Sequence, residues 1–297
     1  MKDKQFKLVD RLLLAMVILP FVVGIALKVL FTPATEGIAI AGALVYFTIP
    51  MPLMDLPITE SQVNSVLVMI SLLGLCLYLT HGLSVRPQSK RQLAAEWIVE
   101  KVQNLVDENM GERFKNYSPF IAAIMGLSAF SSLACLVGLY SPTSDMNVVA
   151  GWAILVFILI TYYKLQGGLL NYLKGYIEPV PLFLPCNIIG EFAAPVSMSF
   201  RHYGNVLSGS VIATLVGAAL GGISESLLGW LPGVLGDIPF LRIGIPAVLS
   251  MYFDIFSGLM QAFIFAMLTM LNISLNFPEE AYERRMAKRK KKALHAA

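Results

Sequence analysis

Long apolar runs separated by short polar segments dominate the chain, at residues 12–31, 62–80, 118–140, 148–165, 184–220 and 244–277. Each reaches the ~17–25 residues that carry a helix across a hydrocarbon core ~30 Å thick. The pattern predicts an all-α polytopic membrane protein with about six transmembrane helices. The first run follows the basic start MKDKQFK and resembles a signal sequence, but it is as long as a full span and has no clear small-x-small cleavage site. It reads as an anchor. Residues 46–61, YFTIPMPLMDLPITES, are rich in proline and β-branched residues and predict a non-helical, ordered external loop. Residues 90–109, KRQLAAEWIVEKVQNLVDEN, alternate apolar and charged positions at helical spacing. They predict an amphipathic helix lying on the cytoplasmic surface, for membrane packing or for contact with a partner subunit.

The last two runs are too long for upright helices. At ~1.5 Å per residue they would extend about 55 and 50 Å, so both must be strongly tilted, bent or longer than the core. Pro195 offers a bend in the fifth. Such helices suit a protein lying alongside a curved partner.

Composition agrees with this reading: 57% of the 297 residues are hydrophobic and 14% charged, against about a quarter charged in soluble domains. The net charge of +3 gives no sign of a nucleic-acid partner. Its distribution is more informative. All of the 22 Lys and Arg residues except Lys28, Arg201 and Arg242 fall in segments 1–11, 81–117, 164–183 and 278–297. The opposite loops carry Glu36, Asp55, Glu60, Asp145, Glu225 and Asp237. The positive-inside rule places both termini in the cytoplasm. The tail 284-RRMAKRKKKALH-295 reads as an anchor near anionic lipid headgroups. Cys76, Cys135 and Cys186 are too few and too separated for a disulfide framework or a zinc site.

Candidate chemistry lies inside the apolar runs. Arg201 has no acid within nine residues on either side, and a guanidinium at bilayer depth cannot shed its proton to escape the cost of burial. Ser197, Arg201, Asn205 and Ser208 share one helical stripe, and Asp254, Ser257, Gly258 and Gln261 share another. Two antiparallel helices joined through the glycine-rich segment 221–243 would bring the stripes together as an ion path. The bland alternative is an Arg201–Asp254 ion pair that merely pins two helices. Glu191 either lines a cytoplasmic water path or snorkels to the interface. His202 points about 100° away from Arg201 and reads first as a satisfied histidine at a helix contact, with proton relay as the lesser reading. No G-x-S-x-G, H-E-x-x-H or Walker loop is present, which argues against an enzyme.

At these residues the sequence resembles the a subunits of the rotary ATP synthase membrane sector (Fo). The resemblance runs through 58-ITESQVNS-65, 86-RPQSKRQ-92, 142-PTSDMN-147, 190-GEFAAPVSMSFRHYGN-205 and 252-YFDIFSGLMQAFIFAMLT-269, in family order. It implies a non-catalytic stator subunit of a bacterial plasma-membrane complex, without a cofactor. Its partners would be a c-ring, b-type peripheral stalk subunits, the soluble catalytic head and membrane lipid. Ions, protons or sodium, would enter and leave the ring through two half-channels. Arg201 matches the essential arginine, Asn205 and Gln261 the polar residues flanking it, Ser197 the serine one turn before, and Asp145 an outer-loop aspartate at a channel mouth.

The chain departs from the family at Ser210, where some members have glutamate, and at Asp254, where those members have histidine. The resemblance implies that the carboxylate has moved between facing helices and would still line the outer half-channel. His202 and Tyr203 replace leucine and phenylalanine. The resemblance divides the chain into an N-terminal extension with an additional span (1–45), the membrane domain (46–277) and a basic cytoplasmic tail (278–297). A standalone secondary transporter or channel would share the buried polar face, but such proteins usually carry internal repeats, and none is seen.

Overall fold

A computed structural model of the chain describes residues 2–32, 42–52, 54–85, 89–177, 181–228 and 240–296. In chain order the elements are α1 (Lys2–Phe31), β1 (Val45–Ile49), β2 (Leu56–Thr59), α2 (Glu60–Thr80), α3 (Lys90–Met110), α4 (Ser118–Leu133), α5 (Met146–Gln166), α6 (Leu169–Ile177), α7 (Leu184–Leu228), α8 (Phe240–Ser250), α9 (Gly258–Leu275) and α10 (Glu279–Ala296). Among the described residues, six helical segments are long and apolar enough to span a bilayer: Leu8–Phe31, Glu60–Thr80, Glu112–Val137, Met146–Gln166, Pro181–Leu227 and Gly244–Leu275. The fold is that of an all-α multi-pass membrane protein, as the apolar pattern predicts.

Three expectations are corrected in detail. The expected loop at 46–61 is a small antiparallel hairpin, β1 against β2, and it ends at Thr59 because Glu60 and Ser61 already belong to α2. The fifth span continues as helix through Pro195 to Leu228, so residues 221–228 of the expected linker are helical, as are 240–243 at the start of α8; its middle, 229–239, lies outside the described residues, as do Glu36, Asp237 and residues 86–88 of the RPQSKRQ motif. At ~1.5 Å per residue α7 is about 68 Å long, more than twice the hydrocarbon core. The sixth span is not one α-helix. A π-helical stretch, Met251–Ser257, separates α8 from α9.

Helix starts follow from side-chain acceptors. Ser89 accepts from the Gln92 amide at 3.1 Å to open α3, and Asp145 accepts from the Asn147 amide at 2.9 Å to open α5. The expected surface helix is α3. It exposes Leu93 and Trp97 on one side and buries Val106 and Met110 on the other. Those two residues join Phe114, Ile121, Ile124, Val156, Ile160, Met198, Phe265, Met270 and Ile273 in one core shared by α3, α4, α5, α7 and α9.

Helices in lipid gain little from apolar burial and associate by close packing at small residues. A Cβ placed on Gly258 of α9 would stand 2.5 Å from the Ser132 Cβ of α4, and one on Gly209 of α7 would stand 3.0 Å from the Phe253 Cβ. On α2, a Cβ at Gly74 would meet Met16 of α1 at 3.0 Å. These close approaches bring α7, α9 and the π stretch together around the polar groups.

Candidate functional site

Antiparallel packing of α7 and α9 sets a register. The Asn272 amide lies 3.6 Å from the Met198 sulfur, His202 packs edge-on to Phe265 with ring centroids 5.5 Å apart, Asn205 meets Gln261, and Gly209 meets Phe253. Positions 198, 202, 205 and 209 therefore form the face of α7 turned toward α9, at the i, i+4, i+7, i+11 spacing of one helical stripe. Asn205 Nδ2 donates to Gln261 Oε1 at 2.6 Å, and Gln261 is fully buried with its Nε2 unpartnered among the described residues.

This register corrects the expected meeting of two polar stripes. Of the α7 stripe, only Asn205 touches the facing helix. Ser197, Arg201, Ser208 and Ser210 are exposed on the chain's own surface. Ser208 and Ser210 turn their hydroxyls back to the carbonyls of Asn205 (3.2 Å) and Leu207 (2.8 Å). No hydrogen bond or ion pair of Arg201 exists among the described residues, so an Arg201–Asp254 pin is not formed.

Asp254 lies half-buried in the π stretch, likewise without a hydrogen bond or ion pair among the described residues. The i→i+5 bonding of that stretch widens the turn between Asp254 and Gln261, so their spacing no longer follows the 3.6-residue repeat that the expected stripe assumes. Asp254 is within electrostatic reach of the Cys135 thiol, near the end of the bundle that carries the hairpin.

His202 is completely buried between α4, α5 and α9. Its Nε2 lies 3.3 Å from Ser128 Oγ, and Trp152 packs edge-on at 6.1 Å. This is the helix-contact arrangement that its angular offset from Arg201 predicts, although Nδ1 has no partner among the described residues.

Two further polar groups flank this crossing. Toward the tail end, Glu191 accepts from Lys164 Nζ at 3.0 Å and from the phenols of Tyr172 (3.2 Å) and Tyr176. Burial, with Glu191 beside it, pushes the Tyr172 phenol above its ordinary range. Glu191 lines a cavity of about 530 Å³ together with Asn171, Asn187, Asn272 and Asn276. Sequence reasoning located the glutamate but not this surround, because Lys164, the tyrosines and the asparagines come from four separate helices or turns.

Toward the hairpin end, Asp145 accepts from Ser61 Oγ as well as capping α5. The buried Glu60 accepts from the Tyr140 amide at 3.3 Å and lies 3.6 Å from Lys28 Nζ. Burial, together with Asp145, Tyr203 and Glu60, holds the Tyr140 phenol above its usual value. The signal for this group was present in the charge count, where Lys28 stood apart from the basic segments and Glu60 among the acids of the opposite loops.

Among the described residues no cluster of three or more His, Cys, Asp or Glu side chains could hold a metal ion. The site offers instead a cation at the surface of α7 that is unpaired among the described residues, an amide pair beside it whose Gln261 half is buried, and carboxylates displaced toward the two ends of the bundle.

Comparison with known proteins gives this arrangement a family. Residues 62–274 match the family model described as ATP synthase A chain. The chain is 34% identical over 215 residues to the ATP synthase subunit a of Bacillus pumilus (strain SAFR-032), covering 68% of this chain and 84% of that protein. Over 209 residues it is 34% identical to the ATP synthase subunit a of Bacillus subtilis (strain 168), covering 66% and 82%. A third relative, from Propionigenium modestum, is named ATP synthase subunit a, sodium ion specific, and is 30% identical over 243 residues, 76% of each chain. The matched segment runs from α2 to α9 and contains the α7–α9 crossing with its unpaired arginine; the chain belongs to the ATP synthase A chain family.

Proposed function

We propose that this chain is the stationary membrane subunit beside which a ring of c subunits turns, and that Arg201 is the charge the ring carboxylates meet. The exposure of Arg201 beside a packed helix face, with no partner of its own among the described residues, carries this reading. A guanidinium at membrane depth costs ~2.5–3.5 kcal/mol on insertion scales. A cation left unpaired by its own chain calls for an anion from another. A ring carboxylate arriving at about 4 Å gains on the order of 4 kcal/mol at an effective dielectric of 20, which corresponds to roughly three pK units. That is enough to expel a proton or a sodium ion from the carboxylate. The same fixed charge repels ions that would leak straight across.

The polar groups at the two ends support separate half-channels. The Glu191 cavity is the inner one, with Lys164, Tyr172 and Tyr176 holding the carboxylate in place. Asp254, with Ser210 and the Asp145 group, is the outer one. Asn205 and Gln261 hold α7 and α9 in the register that separates them, Ser197 extends the ring-facing surface one turn from Arg201, and His202 packs the crossing from behind. The chain is non-catalytic. It works in a bacterial plasma membrane with both termini cytoplasmic, against the c-ring and b-type stalk subunits, and couples proton or sodium flow to the catalytic head. Residues 46–277 form the working membrane domain, preceded by the 1–45 extension and followed by the basic tail.

The test is Arg201→Ala in the assembled complex. The expected result is a complex that copurifies with its ring yet neither synthesises ATP from an imposed gradient nor pumps ions on ATP hydrolysis. Normal coupled synthesis overturns the proposal.

A further inference from the structure

The outer polar group contains a cation supplied by the helix that precedes the family-matched residues. α1 is held along α2 by Ser71 Oγ donating to the Val17 carbonyl at 2.7 Å, and near its other end by Asp10, which lies 2.8 Å from Arg91 Nη1. These contacts deliver Lys28, in the last turn of α1, to the hairpin end. Its Nζ donates to the Gly138 carbonyl at 2.7 Å and stands 3.6 Å from Glu60 Oε1. The partners are unequal: the Glu60 side chain is 2% exposed and that of Lys28 is 36% exposed. A buried carboxylate is thus paired loosely with an ammonium that can swing into water on its flexible stem.

The surroundings of Glu60 suit a mobile cation. Asn64, one turn along α2, is buried with its Oδ1 unpartnered among the described residues, as is the buried hydroxyl of Tyr46 on β1. A carboxylate with neutral oxygens beside it is the donor chemistry of a hard cation or a hydrated proton. Tyr140 ties the group to the rest of the path. Its amide donates to Glu60, its carbonyl accepts from Asn64 at 2.9 Å, and its phenol is within electrostatic reach of Asp145 and Tyr203. Cys135, in the turn before it, is within reach of both Lys28 and Asp254. The charged and titratable groups around the pair are therefore Tyr46 from β1, Tyr140 and Asp145 from the α4–α5 connection, Cys135, and Asp254 from the π stretch.

We propose that Lys28 is a tethered counter-cation that occupies the Glu60 carboxylate and competes there with the coupling ion on its way to or from Asp254. This rests on reading the hairpin end as the outer half-channel. Lys28 is a positioning residue: it acts through Glu60 and sets how readily that carboxylate accepts an external ion. Removing the ammonium clears the Glu60 carboxylate of its tethered competitor, so loading persists to lower external concentrations of the coupling ion.

The experiment measures ATP synthesis by the complete complex in proteoliposomes, driven by an imposed gradient, as a function of external proton and then sodium concentration. Lys28→Met is expected to lower the apparent KM for the external coupling ion about fivefold, the upper end for a solvent-screened pair. The saturated rate should stay within about twofold, because Arg201 and Asp254 are untouched. Lys28→Arg, which keeps the charge, should restore the wild-type dependence. In a Glu60→Gln background, adding Lys28→Met should make no further difference to the external dependence. Unchanged external dependence in Lys28→Met, or an equal defect in Lys28→Met and Lys28→Arg, overturns the proposal. Asp254→Asn measured in parallel separates the two readings. Impaired Asp254→Asn with unaffected Lys28→Met sinks this inference alone, whereas wild-type behaviour in Asp254→Asn sinks the outer half-channel itself.

Discussion

Asn205 donates to Gln261 at 2.6 Å across the α7–α9 crossing, while Arg201, one helical turn earlier, faces out of the chain. Arg201 and Asn205 stand about 40° apart around α7, and of the two it is Asn205 that reaches α9. The amide pair locks α7 rotationally against α9, and that rotation keeps the guanidinium on the surface. Cysteines at Asn205 and Gln261 are therefore expected to crosslink efficiently with a short reagent in the assembled complex, and cysteines at Ser208 and Gln261 poorly. Equal or reversed yields would show that α7 is turned differently.

Arg201→Lys probes whether charge alone suffices. Lysine keeps the charge at neutral pH but can lose its proton in a low-dielectric site, which arginine cannot. As pH rises the ammonium deprotonates and the barrier to leakage falls, so passive ion leak through the complex should increase with pH while coupled synthesis stays low. Leak independent of pH, with full synthesis, would mean that a generic cation is enough.

Asp254 stands half-buried and unpaired among the described residues, at the one place where the last span departs from α geometry. Asp254→Asn removes the group that takes up and releases the ion, and ATP synthesis should fall by at least about tenfold, with the deficit varying with external ion supply. Adding Ser210→Glu should recover part of the rate, because Gly209 and Phe253 hold the two helices together one residue away. No recovery, with correct assembly, would place Ser210 outside the outer path.

Gly258 tests the packing that supports these groups. A methyl at this position would stand 2.5 Å from the Ser132 Cβ, so Gly258→Ala should destabilise the α4–α9 contact by about 1–3 kcal/mol, read as a lower unfolding temperature of the purified complex. Ser132→Gly in the same chain removes the opposing Cβ and should restore most of that loss. A double variant as unstable as Gly258→Ala alone would refute the clash as the cause.

Local pattern was enough to locate the six spans, the surface helix α3 and the isolation of Arg201. These depend on apolar run length, 3.6-residue periodicity and the absence of nearby acids, all of which are visible along the chain. The same reading separated His202 from Arg201, since adjacent helical residues diverge by ~100°. Which side of α7 meets α9 was settled by packing in three dimensions. Both sides carry polar residues, and the choice fell to small-residue contacts such as Gly209–Phe253 that hydropathy does not encode. The π stretch around Asp254 was equally hidden, because one wider turn leaves the apolar pattern almost unchanged. The surrounds of Glu191 and Glu60 draw on residues 27 and 32 positions away in the chain, respectively Lys164 and Lys28, and such groups become neighbours only when separate helices pack.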